Sequence, residues 1–216
     1  MPPDEASWFA LAKIAFMGTR AARYTIGDTC VVIGAGPIGQ MATRWAWASG
    51  VERLVVVDPI SERLSYAAGG GATHTICGPI GECDDDVRQA CGDAMPDIVV
   101  DTTGNAQVFA AALGLVRKFG RVVVLGDTGS PASQHLTSDV VLRGLTIAGA
   151  HDSHVDATWT IQRIHRLFTR LHADGRFNLS GLITNRFAPE QCAEAYETAG
   201  RNRGETMGIV FDWRPS

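Results

Sequence analysis

From Thr29 onward the chain alternates short, unbroken apolar runs with longer stretches of mixed character. Residues 29–33, 54–57, 97–101, 121–125 and 145–149 are dominated by Val, Ile and Leu, and a briefer run falls at 74–76. Each of these runs has strand length and no polar alternation, which predicts strands buried on both faces. Between them, residues 37–48, 61–68, 84–91 and 106–118 read as helices. Pro37 stands in the first turn of its helix, where the missing N–H costs nothing, and three consecutive glycines from Gly69 close the second helix. Strands separated by helices in this way predict a parallel sheet with helices on both sides.

Beyond residue 150 the rhythm changes. Residues 155–172 predict one long helix with Trp159, Ile161, Ile164, Leu167 and Phe168 as its apolar positions. A strand at 182–184, a helix at 189–199 and a strand at 207–211 complete the chain. The expected fold is α/β: a doubly wound parallel six-stranded sheet with a small C-terminal helix and strand appendage. Residues 1–24 are expected to be a linker helix remnant, 25–150 the nucleotide-binding domain and 151–216 the appendage.

Composition narrows the function. A net charge of −4 over 216 residues gives no electrostatic reason to expect nucleic acid or an acidic membrane as partner. The five cysteines are odd in number and form no C-x-x-C pair, so free thiols and the cytoplasm are expected. No run approaches the ~18 apolar residues of a membrane span. The apolar stretch from Trp8 to Gly18 contains Lys13 and follows Asp4 and Glu5, the reverse of a signal peptide's charge order. A soluble, unprocessed protein is expected.

Gly34, Gly36 and Gly39 fit the pattern G-x-G-x-x-G, with a strand before and a helix after. The first glycine allows the turn, the second leaves room for a pyrophosphate, and the third lets the helix approach the sheet. Helix-start N–H groups then hold the phosphates. Asp58 ends the second strand, 19 residues beyond Gly39. A carboxylate there accepts bonds from the adenosine ribose and repels a 2′-phosphate, which favours NAD over NADP. The competing reading is that Asp58 caps the helix after Pro59.

These motifs together resemble the coenzyme domain of medium-chain (zinc-type) alcohol and polyol dehydrogenases. The likeness rests on residues 27–39, which include Pro37 and Ile38, on 55–64 and 70–74, and on 97–104 and 120–126. It covers nearly the whole chain. It implies a Rossmann fold with NAD as cofactor, and Arg63, five positions after Asp58, as a support for the ribose; a solvated surface charge is the alternative for Arg63. It also implies that Thr102, Thr103, Leu125, Gly126, Ala150 and His151 line the dinucleotide. For the threonines and Leu125, strand-end packing competes with that role.

The resemblance also marks what is missing. Full-length members carry a separate catalytic domain with the zinc, and this chain is expected to start after it. No Cys, His, Asp or Glu occurs at residues 8–27, where a last zinc ligand would fall. The pairing of His151 with His154 lacks a third ligand nearby, so no metal site and no catalytic residue are assigned. Relatives often place Lys or Arg near Met207 to approach the pyrophosphate; Arg201 or Arg203 would have to substitute. No Tyr has a Lys four residues later, which removes the short-chain dehydrogenase pair.

Three readings remain. The chain is the NAD(H)-binding portion of an alcohol or polyol dehydrogenase-like enzyme, acting on a small alcohol or ketone once a catalytic domain is supplied. Alternatively it is a non-catalytic NAD-binding module, or another Rossmann-like enzyme such as a methyltransferase, against which Asp58 argues. A homodimer through the apolar sixth strand is expected, with Trp159, Ile164, Phe168 and Val210 adding exposed apolar surface.

Overall fold

The computed structural model of the chain describes residues 1–201 and 204–213. Eight strands alternate with helices among them: β1 Thr29–Ile33, β2 Arg53–Asp58, β3 His74–Cys77, β4 Ile98–Asp101, β5 Arg121–Val124, β6 Thr146–Gly149, β7 Ile183–Phe187 and β8 Gly208–Phe211. The helices are α1 Pro3–Ala6, α2 Phe9–Ala22, α3 Pro37–Ala48, α4 Ser61–Gly69, α5 Asp84–Ala90, α6 Ala106–Leu115, α7 Asp139–Leu142, α8 Ile161–Ala173 and α9 Cys192–Arg201.

The first six strands form one parallel sheet in the order β3-β2-β1-β4-β5-β6. Val31 of β1 stands opposite Val55 on one side and Val99 on the other. Because successive side chains point to opposite faces, Val32, Val56, Val100 and Val123 enter one apolar cluster, and Val31, Val55, Val99 and Val122 enter the other. This is the expected doubly wound sheet. The chain reverses its direction of travel across the sheet between β1 and β4, and the carboxyl ends on either side of that point form the ligand edge in such folds.

The first cluster is built by α2, which lies across the sheet. Its small residues Ala12 and Ala15 are fully buried and let α3 approach closely enough for Trp45 Nε1 to donate to the Ala12 carbonyl at 2.8 Å. Phe168 and Phe177 from the C-terminal segment join the same cluster, with Trp45 and Phe177 rings 4.8 Å apart. Arg44 on α3 is 1% exposed and bonds Gln40 Oε1 at 2.9 Å and the carbonyls of Tyr66 and Asn178, so it binds that segment to the sheet domain. Burial pushes its guanidinium down to about 10. Ile164 and Phe168 are fully buried in this packing, which corrects the expectation that they stand exposed. Val210 and Trp159 are half-buried.

Two helix bounds also differ from expectation. The helix expected from 155 starts only at Ile161, because Asp156 Oδ1 accepts from the N–H groups of Thr158 at 2.8 Å and Trp159 at 2.6 Å and turns the chain. Thr160 then caps α8 by accepting from Arg163 N at 3.3 Å. The helix expected to reach Lys118 ends at Leu115, where Arg143 donates to the carbonyls of Leu113 at 2.6 Å and Val116 at 2.7 Å. A one-turn 3-10 helix, Pro189–Gln191, precedes α9. No helix among the described residues is long and apolar enough to cross a membrane.

Candidate functional site

The turn between β1 and α3 is shaped by its three glycines, each for a different reason. Gly34 has φ +93°, a backbone that L side chains rarely adopt, and a Cβ there would lie 2.6 Å from Thr102 Oγ1. A Cβ on Gly39 would lie 1.9 Å from the Gly34 carbonyl oxygen, so α3 packs directly on the turn. Gly36 is different. Its backbone is ordinary, at φ −68° and ψ −176°. The nearest atom to a Cβ there is Arg63 Nη1 at 3.6 Å. Among the described residues, a Cβ at Gly36 would therefore clash with nothing and would touch only the Arg63 guanidinium at ordinary contact distance, at the N-cap of a helix that no side chain caps. The first N–H groups of such a helix lack intrahelical acceptors.

Asp58 closes this turn from the side of β2. Its Oδ2 accepts from Ala35 N at 2.7 Å and its Oδ1 from Ile60 N at 2.8 Å, and the residue is 5% exposed. The two bonds fix the glycine turn and the start of α4 on one carboxylate. Asp58 is not the N-cap of α4, which is Ile60. Fully buried Gln40 donates from Nε2 to the carbonyls of Ala35 and Arg63, both at 2.9 Å. Sequence reasoning missed this residue; its signal is a lone amide among the apolar positions of α3.

On the other side of β1, Thr102 Oγ1 donates to the carbonyls of Ile33 at 2.9 Å and Gly34 at 3.1 Å. Thr103 turns back onto the protein: its N and Oγ1 bond Asp101 Oδ1 at 2.8 and 2.7 Å. Burial pushes the Asp101 carboxyl above the usual carboxylate range, against the lowering effect of those bonds. A Cβ on Gly126 would meet Gly104 N at 2.3 Å, so the loops after β4 and β5 touch through that glycine.

A cavity of about 570 Å3 opens at the carboxyl ends of β5 and β6. Thr102, Leu125, Gly126, Ala150, His151 and Ile38 all line it. The sequence reading thus brought together residues from four separate segments, while Gly34, Gly36, Pro37, Gly39, Asp58 and Arg63 belong to the neighbouring glycine turn and its flank. Thr103 does not line the cavity but flanks the turn, its Cγ2 lying 3.0 Å from where a Cβ on Gly34 would be. Ile14, Asp152 and His154 line the cavity and were not foreseen. Lys13 on α2 pairs with Asp152 at 2.9 Å across its rim, and the cation interrupting the apolar run of α2 was the available signal. His151 Nδ1 lies 2.8 Å from Ser153 Oγ, and His151 N donates to His154 Nδ1 at 3.3 Å, so the two rings are organised locally.

Among the described residues, no group of three or more His, Cys, Asp or Glu is gathered in a way that could hold a metal ion. Met207 is 7% exposed in the main apolar cluster. Arg201 is exposed and 3.6 Å from Glu197, and Arg203 lies outside the described residues.

Comparison with known proteins follows the same lines. The sequence model of the family described as zinc-binding dehydrogenase matches residues 37–169. L-threonine 3-dehydrogenase of Bacillus licheniformis is 30% identical over 173 residues, which is 80% of this chain and 48% of that protein. The chain thus spans about half the length of the curated relatives it matches. Alcohol dehydrogenase TADH from Thermus sp. ATN1 superposes with a TM-score of 0.80 at 27% identity, covering 99% of this chain and 61% of that one. A short chain alcohol dehydrogenase from E. coli CFT073, solved with NADH, gives 0.82 at 21% identity, covering 99% and 61%, a likeness of fold.

Proposed function

This chain belongs to the zinc-binding dehydrogenase family, and on that premise we propose that it is the NAD(H)-holding part of an alcohol or polyol dehydrogenase-like oxidoreductase. The observation that carries this reading is an uncapped helix start at Gly36 whose only neighbour among the described residues, at 3.6 Å from a Cβ position, is the Arg63 guanidinium. A pyrophosphate fits such a position, because it needs backbone N–H groups and no intervening side chain.

In this reading Gly36 and the first turn from Pro37 through Ile38 hold the phosphates, while Gly34 and Gly39 serve by letting the turn exist. Asp58 receives the adenosine ribose. A carboxylate offers about four acceptor positions, and backbone N–H groups engage each oxygen once. Arg63 flanks the same place. Thr102, Leu125, Gly126, Ala150 and His151 wall the nicotinamide half, and Thr103 holds the shape of that wall through Asp101. When bound, the nicotinamide exchanges a hydride with a secondary alcohol or its ketone.

The described residues do not fit the family's zinc, since they gather no ligand set and residues 8–27 contain no Cys, His, Asp or Glu. No step through the metal is assigned to them, and turnover requires a catalytic domain in the same chain or in a partner. We divide the chain into a linking segment (1–24), a NAD-binding domain (25–150) and a segment that packs with that catalytic domain (151–216). The open edge strand β6 and the exposed Val141 and Leu142 beside it support a homodimer. The five free thiols support a cytoplasmic location.

Calorimetric titration with NADH and NADPH tests the reading. Tighter binding of NADH is expected. Tighter binding of NADPH, or binding of neither, refutes it.

A further inference from the structure

At the opposite end of α3 lies a second cavity, of about 390 Å3, that the cofactor reading does not use. The helix has 12 residues, so at 1.5 Å per residue its two ends are about 18 Å apart. The cavity shares no lining residue with the one beside His151.

Its apolar wall is aromatic. Phe16 packs between Trp45 and Trp159, with ring centroids 4.9 and 4.8 Å away. Its polar wall is cationic, made by Arg20, Arg23 and Arg176. Three guanidinium groups around one small apolar cavity are notable in a chain of net charge −4. Arg20 is 3.3 Å from Asp156 and its guanidinium lies 5.5 Å from the centre of the Trp159 ring, so it is held against the cavity wall. Arg176 donates to the Ala48 carbonyl at 2.9 Å. Neither Arg23 nor Arg176 makes an ion pair among the described residues.

Part of this charge answers the ends of α2 and α3, whose carbonyls point this way. Each helix C-terminus is equivalent to roughly half a negative charge. Those two ends and the Asp156 carboxylate together leave about one of the three positive charges uncancelled. A wall of inclined aromatic rings, with interplanar angles of 61° and 55°, beside one net positive charge and two arginines without an ion pair among the described residues matches one ligand chemistry.

We propose that this cavity is a second ligand site, separate from the dinucleotide site, for a small aromatic monocarboxylate. The ring would lie against Phe16, Trp45 and Trp159, and the carboxylate would accept from Arg23 and Arg176, with Arg20 adding positive charge beside them. The volume is within the usual range for small-molecule pockets. Arginine suits the task because its donor fork matches a carboxylate and its plane tolerates aromatic neighbours, as Arg163 shows by lying 4.0 Å over the Trp159 ring.

The test uses 2-naphthoate and its neutral counterpart 2-naphthalenemethanol, titrated into the whole chain by calorimetry and by quenching of tryptophan fluorescence. The acid should bind about ten-fold more tightly than the alcohol, as expected for a charge-assisted bond, and weaken with added salt. Arg23→Asn should lose about that factor while leaving NADH binding and the melting temperature unchanged. Asn is chosen because Arg23 has φ +54°, a conformation that Asn accepts. Arg176→Gln, on a different element, should weaken the acid in the same direction. Saturating NADH should leave the acid's affinity unaltered. Equal affinity for acid and alcohol would show an apolar cleft only and overturn the proposal. So would competition with NADH, binding of neither probe at millimolar concentration, or arginine variants that bind the acid as the parent does.

Discussion

Replacing Gly36 by Ser separates a glycine that the fold needs from one that a ligand needs. At Gly36 the backbone is in an ordinary extended region and a Cβ would meet nothing closer than 3.6 Å. Ser is a better N-cap than Gly by a few tenths of a kcal/mol, so folding stability should be unchanged or slightly raised. For a chain of this size about 1 kcal/mol corresponds to roughly 2–4 °C, and the melting temperature should stay within about 2 °C. The new side chain nevertheless fills the place assigned to the pyrophosphate. Losing even one charge-assisted bond costs about 1.5–3 kcal/mol, which predicts at least a ten-fold rise in the dissociation constant for NADH. Gly39→Ala is the contrasting perturbation. Its Cβ would sit 1.9 Å from a backbone oxygen, where non-bonded atoms normally keep about 3.5 Å. Overpacking of this kind costs about 1–3 kcal/mol, which should lower the melting temperature by several degrees. Thermal melts by circular dichroism and NADH calorimetry on both variants decide the matter. If Gly36→Ser binds NADH like the parent, the phosphates do not lie over Gly36 and the reasoning fails.

Asp58→Asn should narrow the preference for NADH over NADPH in paired titrations. It should also lower stability by about 1–2 kcal/mol, because an amide cannot accept from both Ala35 N and Ile60 N. Asp101 has a carboxyl pushed upward by burial, so its contribution is fully present below its unfolded value and is lost as pH rises through the folded value. Asp101→Asn keeps an acceptor for Thr103 and should flatten that part of the stability curve in denaturant titrations from pH 3 to 8; an unchanged slope would contradict the burial argument. Ile147→Lys on β6 should shift a dimer toward monomer in light scattering behind size exclusion, and a parent chain that is already monomeric at tens of micromolar would defeat the edge-pairing idea.

Much was legible in the sequence because its signals are local. β-branched runs of strand length, Pro37 in a first turn and glycines after β1 act within a few residues of themselves. They placed all six strands of the main sheet and set α3 at Pro37–Ala48. The spacing of Asp58 from the glycines carried across one strand-helix-strand unit, and the structure brings its carboxylate onto Ala35 N.

Tertiary structure decided whatever depends on distant partners. Asp156 and Arg143 set where α8 begins and α6 ends, and Arg143 does so from about 30 residues downstream, beyond the reach of helical periodicity. Ile164 and Phe168 are buried because α2 and Phe177 arrive from other parts of the chain. Lys13 and Asp152 are 139 positions apart in sequence, and only folding made them one rim of the cavity beside His151. The arginines of the second cavity come from α2, its C-cap and the loop after α8. Composition counts them but does not gather them; a hydrophobic core that draws α2, α3 and α8 together does.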